Sequence, residues 1–164
     1  MELWDVLDGQ GKPTGRTVPR GKLAHGDYHL AVHIWIQNDK NQLLVQQRAD
    51  TVELMPGKWA VTGGSALAGE EALQAARREL AEELGIETKE DELQWMFRMK
   101  RQNAFQDVWL LKKNVKLGDI IMQPSEVQAV KWVHIKELRQ LVKKGKFHRY
   151  YYLDMLLNTL EEEI

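Results

Sequence analysis

The sequence contains no cysteine, which excludes disulfide bonds, thiol nucleophiles and metal sites built from thiolates. Long apolar runs are also missing. The longest, such as residues 30–36, are far too short to span a bilayer and are interrupted by His33. The first five residues, MELWD, are acidic and lack the basic and apolar regions of an export signal. We therefore expect no membrane association and a cytoplasmic location.

Neither sign of charge is in excess. Lys and Arg total 23 and Asp and Glu total 24, which gives a formal net charge of -1. This balance provides no general attraction to nucleic acids or anionic membranes, so any affinity for phosphate must come from a local site. No repeat or flexible linker divides the 164 residues, of which 43% are hydrophobic and 29% are charged. Length and composition together predict a single packed domain over residues 1–164.

Sequence periodicity predicts a domain of strands and helices. Glycine and proline are frequent from Gly9 to Gly21, and this segment is predicted to form turns. Apolar and β-branched stretches predict strands, the second and third joined as a hairpin, at residues 3–7, 29–36, 43–47, 59–62, 94–99, 105–111 and 127–133. Helices are predicted at residues 70–84, 135–144 and 148–162, the last containing Tyr150, Tyr151 and Tyr152 near its start. Strands interleaved with helices are typical of an α/β layered fold with a mixed sheet.

The first predicted helix carries a group of carboxylates. Its apolar stripe recurs at helical spacing and consists of Leu73, Ala76, Leu80 and Leu84. Glu79 lies three residues before Glu82 and four before Glu83, which places neighbouring Cβ atoms roughly 5–6 Å apart and costs roughly a few tenths of a kcal/mol per like-charge pair. A hard divalent cation such as Mg²⁺ or Mn²⁺ would remove this cost, because it prefers oxygen ligands. The carboxylates alone leave a solvated acidic face as the alternative.

These carboxylates belong to a longer pattern. From Gly64 the chain reads GSALAGEEALQAARRELAEELGI, which fits G-x5-E-x7-R-E-U-x-E-E-x-G-U, with U apolar, at every specified position. The matching residues are Gly64, Glu70, Arg78, Glu79, Leu80, Glu82, Glu83, Gly85 and Ile86. With average residue usage, such a match would arise by chance in this chain with a probability on the order of 10⁻⁸ to 10⁻⁷. The pattern resembles the signature of the Nudix hydrolases, which act on nucleoside diphosphates linked to another moiety.

The resemblance implies a fold and a set of residue roles. The fold would be the Nudix α/β/α sandwich, with a mixed β-sheet between helices. Glu79, Glu82 and Glu83 would bind Mg²⁺ or Mn²⁺, and the carbonyl of Gly63 would be an additional ligand, since glycines let the backbone approach an ion closely. Four further residues would hold the loop and the helix in place: Gly64, Glu70, Arg78 and Gly85. Gly85 would form the C-terminal cap of the helix.

The implied reaction is attack of water on one phosphorus of a diphosphate bridge, assisted by divalent cations. The small-molecule partner would be a nucleoside diphosphate derivative or a related organic pyrophosphate. Glu79, Glu83 or a carboxylate outside the motif would accept the proton from water. The outlying candidates are Asp107, in a predicted strand, and Glu126, which follows Pro124. A strand-edge acid and a turn or capping residue are the structural alternatives for these two.

Residues 1–62 resemble, more narrowly, the Nudix branch that is similar to isopentenyl-diphosphate isomerase. That isomerase needs a cysteine for proton transfer and a histidine where Ser65 stands, so isomerase chemistry is disfavoured. Arg48 is similar to a phosphate-contacting arginine of relatives, and guanidinium geometry suits phosphate oxygens. A surface salt bridge is the alternative for Arg48. Lys58 is a further candidate for substrate binding.

Several properties stay open at this level. His25 and His29 resemble metal-binding histidines of the isomerase branch at shorter spacing, with hydrogen-bonded structural histidines as the alternative. The patterns do not determine the particular substrate, the number of metal ions or whether the protein is a homodimer. Two other functions are kept as alternatives: an isopentenyl-diphosphate isomerase-like enzyme, and a non-catalytic nucleotide-binding sensor that uses the fold as a platform.

Overall fold

The computed structural model describes residues 1–164. In it, strand β3 (His29–Gln37) is apolar on both of its faces. Ile34 and Ile36 pack into one hydrophobic core, whereas Trp35 packs into the other. Successive side chains of a strand point to opposite sides of its sheet, so apolar residues at consecutive positions indicate burial on both sides. β3 therefore lies between two hydrophobic layers.

Eight further strands and three helices complete the fold. The strands are β1 (Leu3–Leu7), β2 (Pro13–Pro19), β4 (Leu43–Arg48), β5 (Trp59–Ala60), β6 (Thr62–Ser65), β7 (Leu93–Lys100), β8 (Ala104–Lys112) and β9 (Val127–Val133). The helices are α1 (Ala72–Leu84), α2 (Ile135–Lys143) and α3 (Leu153–Glu162). None of the three combines the length and the apolarity that a membrane-spanning helix requires.

Seven of the strands form one mixed sheet. Its order is β5, β4, β3, β8, β7, with β6 also pairing with β3 and β9 with β4. β3 and β8 are parallel, whereas the other pairs are antiparallel. α1 packs on one face through residues such as Ala76 and Leu80, and α2 and α3 pack on the other through Leu138 and Leu156. This arrangement confirms the α/β/α sandwich with a mixed sheet.

The segment from Gly9 to Gly21 contains a strand as well as turns, so the prediction of turns alone is wrong there. β2 pairs antiparallel with β1 in a separate two-stranded sheet, with Val18 opposite Trp4. Nearly all side chains of β2 are exposed. The strand therefore leaves no apolar signal in the sequence, and backbone hydrogen bonds to β1 hold it in place.

Two predicted strand features are present in altered form. The hairpin of β3 and β4 pairs at Gln37 and Leu43, beyond which β4 pairs with β9 and β3 pairs with β6. The single strand predicted at residues 59–62 is divided into β5 and β6. These two strands bond to different neighbours, β5 to β4 and β6 to β3, because the chain crosses from one strand of the sheet to another at Val61.

The last helix begins at Leu153 rather than at residue 148. Tyr150 and Tyr152 lie before it, where both hydroxyl groups accept tertiary hydrogen bonds. The Val61 N–H donates to the Tyr150 hydroxyl at 3.1 Å, and the Trp35 ring N–H donates to the Tyr152 hydroxyl, also at 3.1 Å. These contacts link the tyrosines to the sheet, and the helix forms only after them.

Candidate active site

The motif carboxylates lie on the C-terminal half of α1. The helix begins after Glu71, slightly later than predicted, and the Glu71 N–H donates to Gln74 Oε1 at 2.9 Å. It ends at Gly85, whose φ of 67° is left-handed and whose N–H donates to the Ala81 carbonyl at 3.0 Å. A Cβ at Gly85 would also lie only 2.9 Å from Ile121. Conformation and crowding therefore both favour glycine at this cap.

Glu79, Glu82 and Glu83 line one small cleft. Its volume is about 140 Å³, and its lining consists of Glu2, Arg20, Gly63, Gly64, Glu79, Glu82, Glu83, Gln123 and Glu126. The three helix carboxylates differ in burial: Glu82 is exposed, Glu79 is half-buried and Glu83 is only 7% exposed. The structure therefore brings the predicted carboxylates of α1 together with both predicted glycines and with Glu126.

Arg78 connects two of these carboxylates to the loop before the helix. Its Nε and Nη2 donate to the two carboxylate oxygens of Glu70 at 2.8 and 3.0 Å, and its Nη1 donates to Glu79 at 3.0 Å and to Glu82 at 3.1 Å. Nη2 also donates to the Ser65 carbonyl at 3.0 Å. Burial would raise the pKa of Glu70, but its hydrogen bonds, chiefly with Arg78, hold that pKa below its usual value. Every guanidinium nitrogen of Arg78 is thus engaged.

Glu83 is buried beside a polar pair contributed by the sheet. Gln46 Nε2 donates to Glu83 Oε2 at 3.1 Å, and the Thr62 hydroxyl donates to Gln46 Oε1 at 2.8 Å. Burial, together with the negative charges of Glu79 and Glu126, raises the pKa of Glu83 to about 8. Nothing in the strand pattern of β4 indicates this contact of Gln46, so the residue was missed at the level of sequence.

Glu79 shares this electrostatic environment. Burial raises the pKa of Glu79 to about 7, although Arg78 favours the charged form. Glu79 and Glu82 turn toward Arg78 and Glu83 turns toward Gln46, and no three His, Asp or Glu side chains lie closely enough together to hold a metal ion. Burial of two neighbouring carboxyl groups favours their neutral forms, and a bound cation would favour the charged forms. The donor set consists of oxygen atoms, which suits Mg²⁺ or Mn²⁺.

Gly63 and Gly64 lie where no side chain fits. A Cβ on Gly64 would collide with the Glu79 carboxylate. One on Gly63 would lie 2.6 Å from both the His33 ring and the Val32 carbonyl oxygen. Both glycines belong to β6, which pairs with β3 at these positions. The Glu79 carboxylate therefore occupies the space that the missing side chain of Gly64 leaves free.

The segment before β9 forms another wall of the cleft. The Gln123 N–H donates to the Glu83 carbonyl at 3.0 Å, and the Ile121 N–H donates to the Leu84 carbonyl, also at 3.0 Å. These bonds satisfy carbonyl groups at the C-terminal end of α1, which have no partner within the helix. They also bring this segment, with the exposed Glu126, beside the motif carboxylates.

Three other residues singled out in the sequence lie outside the cleft. Asp107 is 3% exposed, and its two carboxylate oxygens accept hydrogen bonds from Arg98 at 2.6 and 3.0 Å. The structure therefore does not bring Asp107 to the motif carboxylates. His25 is exposed. His29 is buried and stacks on Trp4 with ring centroids 3.8 Å apart, and burial lowers the pKa of His29 to about 4.

Arg48 and Lys58 also lie outside the lining of the cleft. Arg48 Nε donates to the Leu54 carbonyl at 2.8 Å, and neither Arg48 nor Lys58 forms a salt bridge. Both belong to a group of cations around His148, whose pKa is lowered by burial and then by the positive charges of Lys58, Arg101 and Arg48. The two residues thus share one basic region, separate from the acidic cleft.

Two lining residues, Glu2 and Arg20, lie outside the family motif and were not among the predicted site residues. They form an ion pair of 2.8 Å in which both side chains are largely exposed. The β1–β2 hairpin carries them to the cleft, and the Ala68 N–H donates to the Leu3 carbonyl at 2.8 Å where the hairpin contacts the loop before α1. This approach depends on tertiary contacts that the sequence pattern does not contain.

Comparisons with known proteins agree with this geometry. The model of the family described as NUDIX domain matches residues 27–155. An uncharacterised Nudix hydrolase of Listeria monocytogenes is 41% identical over 160 residues, which cover 96% of this chain and 95% of the relative. The isopentenyl-diphosphate Delta-isomerase of Pectobacterium atrosepticum is 33% identical over 146 residues, covering 85% of this chain and 82% of the relative.

The fold has a close counterpart among solved structures. The crystal structure of DR0079 from Deinococcus radiodurans matches with a TM-score of 0.78 at 22% sequence identity, covering 97% of this chain and 99% of that one. The shared fold, the matching family model and the Listeria relative agree with the complete motif on α1. The chain belongs to the Nudix hydrolase family, whose members generally hydrolyse pyrophosphate linkages.

Proposed function

We propose that this protein hydrolyses the diphosphate linkage of a nucleoside diphosphate derivative or a related organic pyrophosphate, and that it depends on Mg²⁺ or Mn²⁺. The observation that carries the proposal is the acidic cleft on α1. Glu79, Glu82 and Glu83 line it together, and burial, with the negative charge of neighbouring carboxylates, raises the pKa values of Glu79 and Glu83. A site for a cation and a phosphate ligand would account for this concentration of acidic side chains.

Glu79, Glu82 and Glu83 would hold the cation after their carboxylates turn from Arg78 and Gln46 toward a common point, with the Gly63 carbonyl as a further oxygen ligand. The bound cation would neutralise charge on the phosphate oxygens and lower the pKa of the attacking water. Arg78 donates to Glu79 and Glu82, so an ion would compete with it for their carboxylate oxygens. Its hydrogen bonds to Glu70 would still hold the guanidinium group beside both side chains.

A carboxylate of the cleft would accept a proton from the attacking water. The water oxygen would bond to phosphorus as the bridging P–O bond breaks and the other phosphate group leaves. The candidates are Glu79, Glu83 and Glu126, since all three line the cleft. Asp107 is not among them, because Arg98 engages its carboxylate. The exposed Glu126 is free of hydrogen bonds to other side chains and so keeps its oxygens available to water.

Arg48 and Lys58 would contact the part of the substrate that extends beyond the cleft. The charges of both Arg48 and Glu83 act on the buried Tyr150 hydroxyl, so the two regions are close enough for one elongated ligand. Arg48, Lys58 and Arg101, whose charges act on His148, form no salt bridge, and guanidinium and ammonium groups bind phosphate oxygens. This arrangement supports a substrate with more than one anionic group.

The isomerase alternative is supported by the Pectobacterium relative and opposed by the residues present. Cysteine is absent from the chain, and Ser65 stands where the resemblance to the isomerase implies a histidine ligand. The sensor alternative would not need the complete set of motif carboxylates, yet all of them are present. Hydrolysis is therefore the function that the site supports best.

A substrate screen tests the proposal. The protein would be incubated with nucleoside di- and triphosphates, nucleotide sugars, dinucleotides and isopentenyl diphosphate, each with Mg²⁺, with Mn²⁺ and with EDTA. We expect metal-dependent cleavage of at least one diphosphate, detected by phosphate release or chromatography of the products. Nucleotide binding without cleavage under any condition would favour the sensor, and conversion of isopentenyl diphosphate to its isomer would favour the isomerase.

Gly64→Ala is expected to lower kcat while the fold is retained. Its Cβ would displace the Glu79 carboxylate, and a displacement on the order of 1 Å at a reacting centre can cost about 100-fold in rate. Gly118→Ala is the matched control, because nothing lies within 4 Å of a Cβ at that position and its φ is not left-handed. Circular dichroism would verify folding of both variants. Equal kcat values for the two variants would contradict the role of Glu79.

A further inference from the structure

Arg20 is the only cationic side chain that lines the acidic cleft. It follows β2, and its backbone N–H donates to the Glu2 carbonyl at 3.1 Å. Its Nη1 donates to Glu2 Oε2 at 2.8 Å, and this is the only side-chain hydrogen bond that Arg20 makes. Since 61% of the Arg20 side chain and 50% of the Glu2 side chain are exposed, the pair is open to solvent and to a ligand.

The two arginines near the motif carboxylates differ in the donors they have left. All three guanidinium nitrogens of Arg78 donate to protein oxygens, from Glu70, Glu79, Glu82 and Ser65. Arg20 uses one nitrogen, so its Nε and Nη2 have no protein acceptor. A guanidinium group with free donors can bind two oxygens of one phosphate at once. Arg20 is therefore the arginine available to an anion in the cleft.

The hairpin gives Arg20 a defined position. Its guanidinium carbon lies 5.9 Å from the centroid of the Trp4 ring, and Trp4 in turn stacks on His29. The hairpin is joined to the loop before α1, where the Gly69 N–H donates to Asp5 Oδ2 at 2.8 Å. Stacking thus holds the hairpin against β3, and the hydrogen bond of Asp5 holds it against the loop that leads into the motif helix.

We infer that Arg20 binds a phosphate group of the substrate and that Glu2 occupies its guanidinium group when no substrate is bound. This inference rests on the proposed function and adds a substrate-binding residue from outside the family motif. A cation held by the cleft carboxylates would bind one phosphate of a diphosphate. Arg20 would bind phosphate oxygens where the cleft opens to solvent. In the free protein, Glu2 forms an ion pair with Arg20. A phosphate group has more oxygen atoms and more negative charge than the Glu2 carboxylate, so it displaces Glu2 from the guanidinium group.

The test is the binding of methylenediphosphonate, in which CH₂ replaces the bridging oxygen, measured by calorimetry in the presence of Mg²⁺. Arg20→Ala should weaken binding at least about 10-fold, because it removes hydrogen bonds between charged groups. Arg20→Lys, which keeps the charge but not the planar fork, should lie between Arg20→Ala and wild type. Glu2→Gln should bind at least as tightly as wild type, since the competing carboxylate is gone.

Arg16→Ala is the matched control. Arg16 lies on the same hairpin with 58% of its side chain exposed, but it pairs with Asp27 and does not line the cleft. We expect binding within twofold of wild type for this variant. If Arg20→Ala binds as Arg16→Ala does while Glu83→Gln abolishes hydrolysis, the inference about Arg20 is wrong and the proposed function stands. If the wild type neither binds the diphosphonate nor cleaves any substrate of the screen with metal, both are overturned.

Discussion

Glu83→Gln is expected to reduce kcat by at least about 10³-fold. Metal-based charge stabilisation is worth several kcal/mol, and each loss of about 1.4 kcal/mol slows a reaction tenfold. The amide has the same shape as the carboxyl group, and its oxygen can still accept the hydrogen bond from Gln46. Turnover of the best substrate of the screen, with calorimetric titration of Mg²⁺, would measure the loss. Glu87→Gln, an exposed position just beyond α1, is the control and should retain wild-type activity.

The pH dependence of the melting temperature shows whether Glu83→Gln loses activity because a catalytic group is missing or because the protein is unfolded. Below pH 4.5, Glu83 is protonated in both the folded and the unfolded chain. Between pH 4.5 and about 8 the unfolded chain releases this proton while the folded chain keeps it, so metal-free wild type loses stability as pH rises. Glu83→Gln lacks this loss. Its melting temperature without metal should equal that of wild type near pH 4 and exceed it at pH 8.

Magnesium should reverse the order of the two proteins. Binding to the folded state alone raises the melting temperature, and wild type should gain this stabilisation while Glu83→Gln should not. The shift for wild type should be larger at pH 8 than at pH 6, because the ion replaces the proton on the carboxylates. A wild-type melting temperature that is unaffected by Mg²⁺ and Mn²⁺ at pH 8 would rule out the metal site on α1.

Arg78→Ala is expected to lower the free energy of unfolding by about 3 kcal/mol, because it leaves partly buried carboxylates without their cation. The side chain of Arg78 is 21% exposed, and those of Glu70 and Glu79 are 19% and 13% exposed. The variant should also lose about 10- to 100-fold in kcat, since residues that orient metal ligands have effects of this size. Urea denaturation and steady-state kinetics would measure the two effects.

Arg139→Ala provides the comparison for this prediction. Arg139 also bonds to several acceptors, including Glu161 at 3.1 Å and Asn158 at 2.8 Å. Its side chain is 35% exposed and that of Glu161 is 46% exposed, and exposed ion pairs contribute only about 0–1 kcal/mol. Equal losses of stability in the two variants would show that Arg78 makes a surface network and does not anchor the site.

The motif helix and its carboxylates could be predicted because their geometry is local. Spacings of three and four residues place Glu79, Glu82 and Glu83 side by side on any α-helix, and the apolar stripe of the same segment identifies the helix. The left-handed cap at Gly85 follows from the same short stretch of chain. The strands of the central sheet were also predictable, since runs of β-branched and aromatic residues mark them. β2 was not, because its exposed side chains carry no such pattern.

The family motif, the layered fold and the identity of the acidic residues can all be read from the amino-acid sequence. The environment of these residues comes from packing between distant segments: Gln46 lies against Glu83 from 37 residues away, Arg98 engages the Asp107 carboxylate, and the N-terminal hairpin brings Arg20 to the cleft. Side-chain spacing along a helix is readable in this way because it follows from covalent geometry. Burial and charge pairing, which raise the pKa values of Glu79 and Glu83, depend instead on which distant segments pack together.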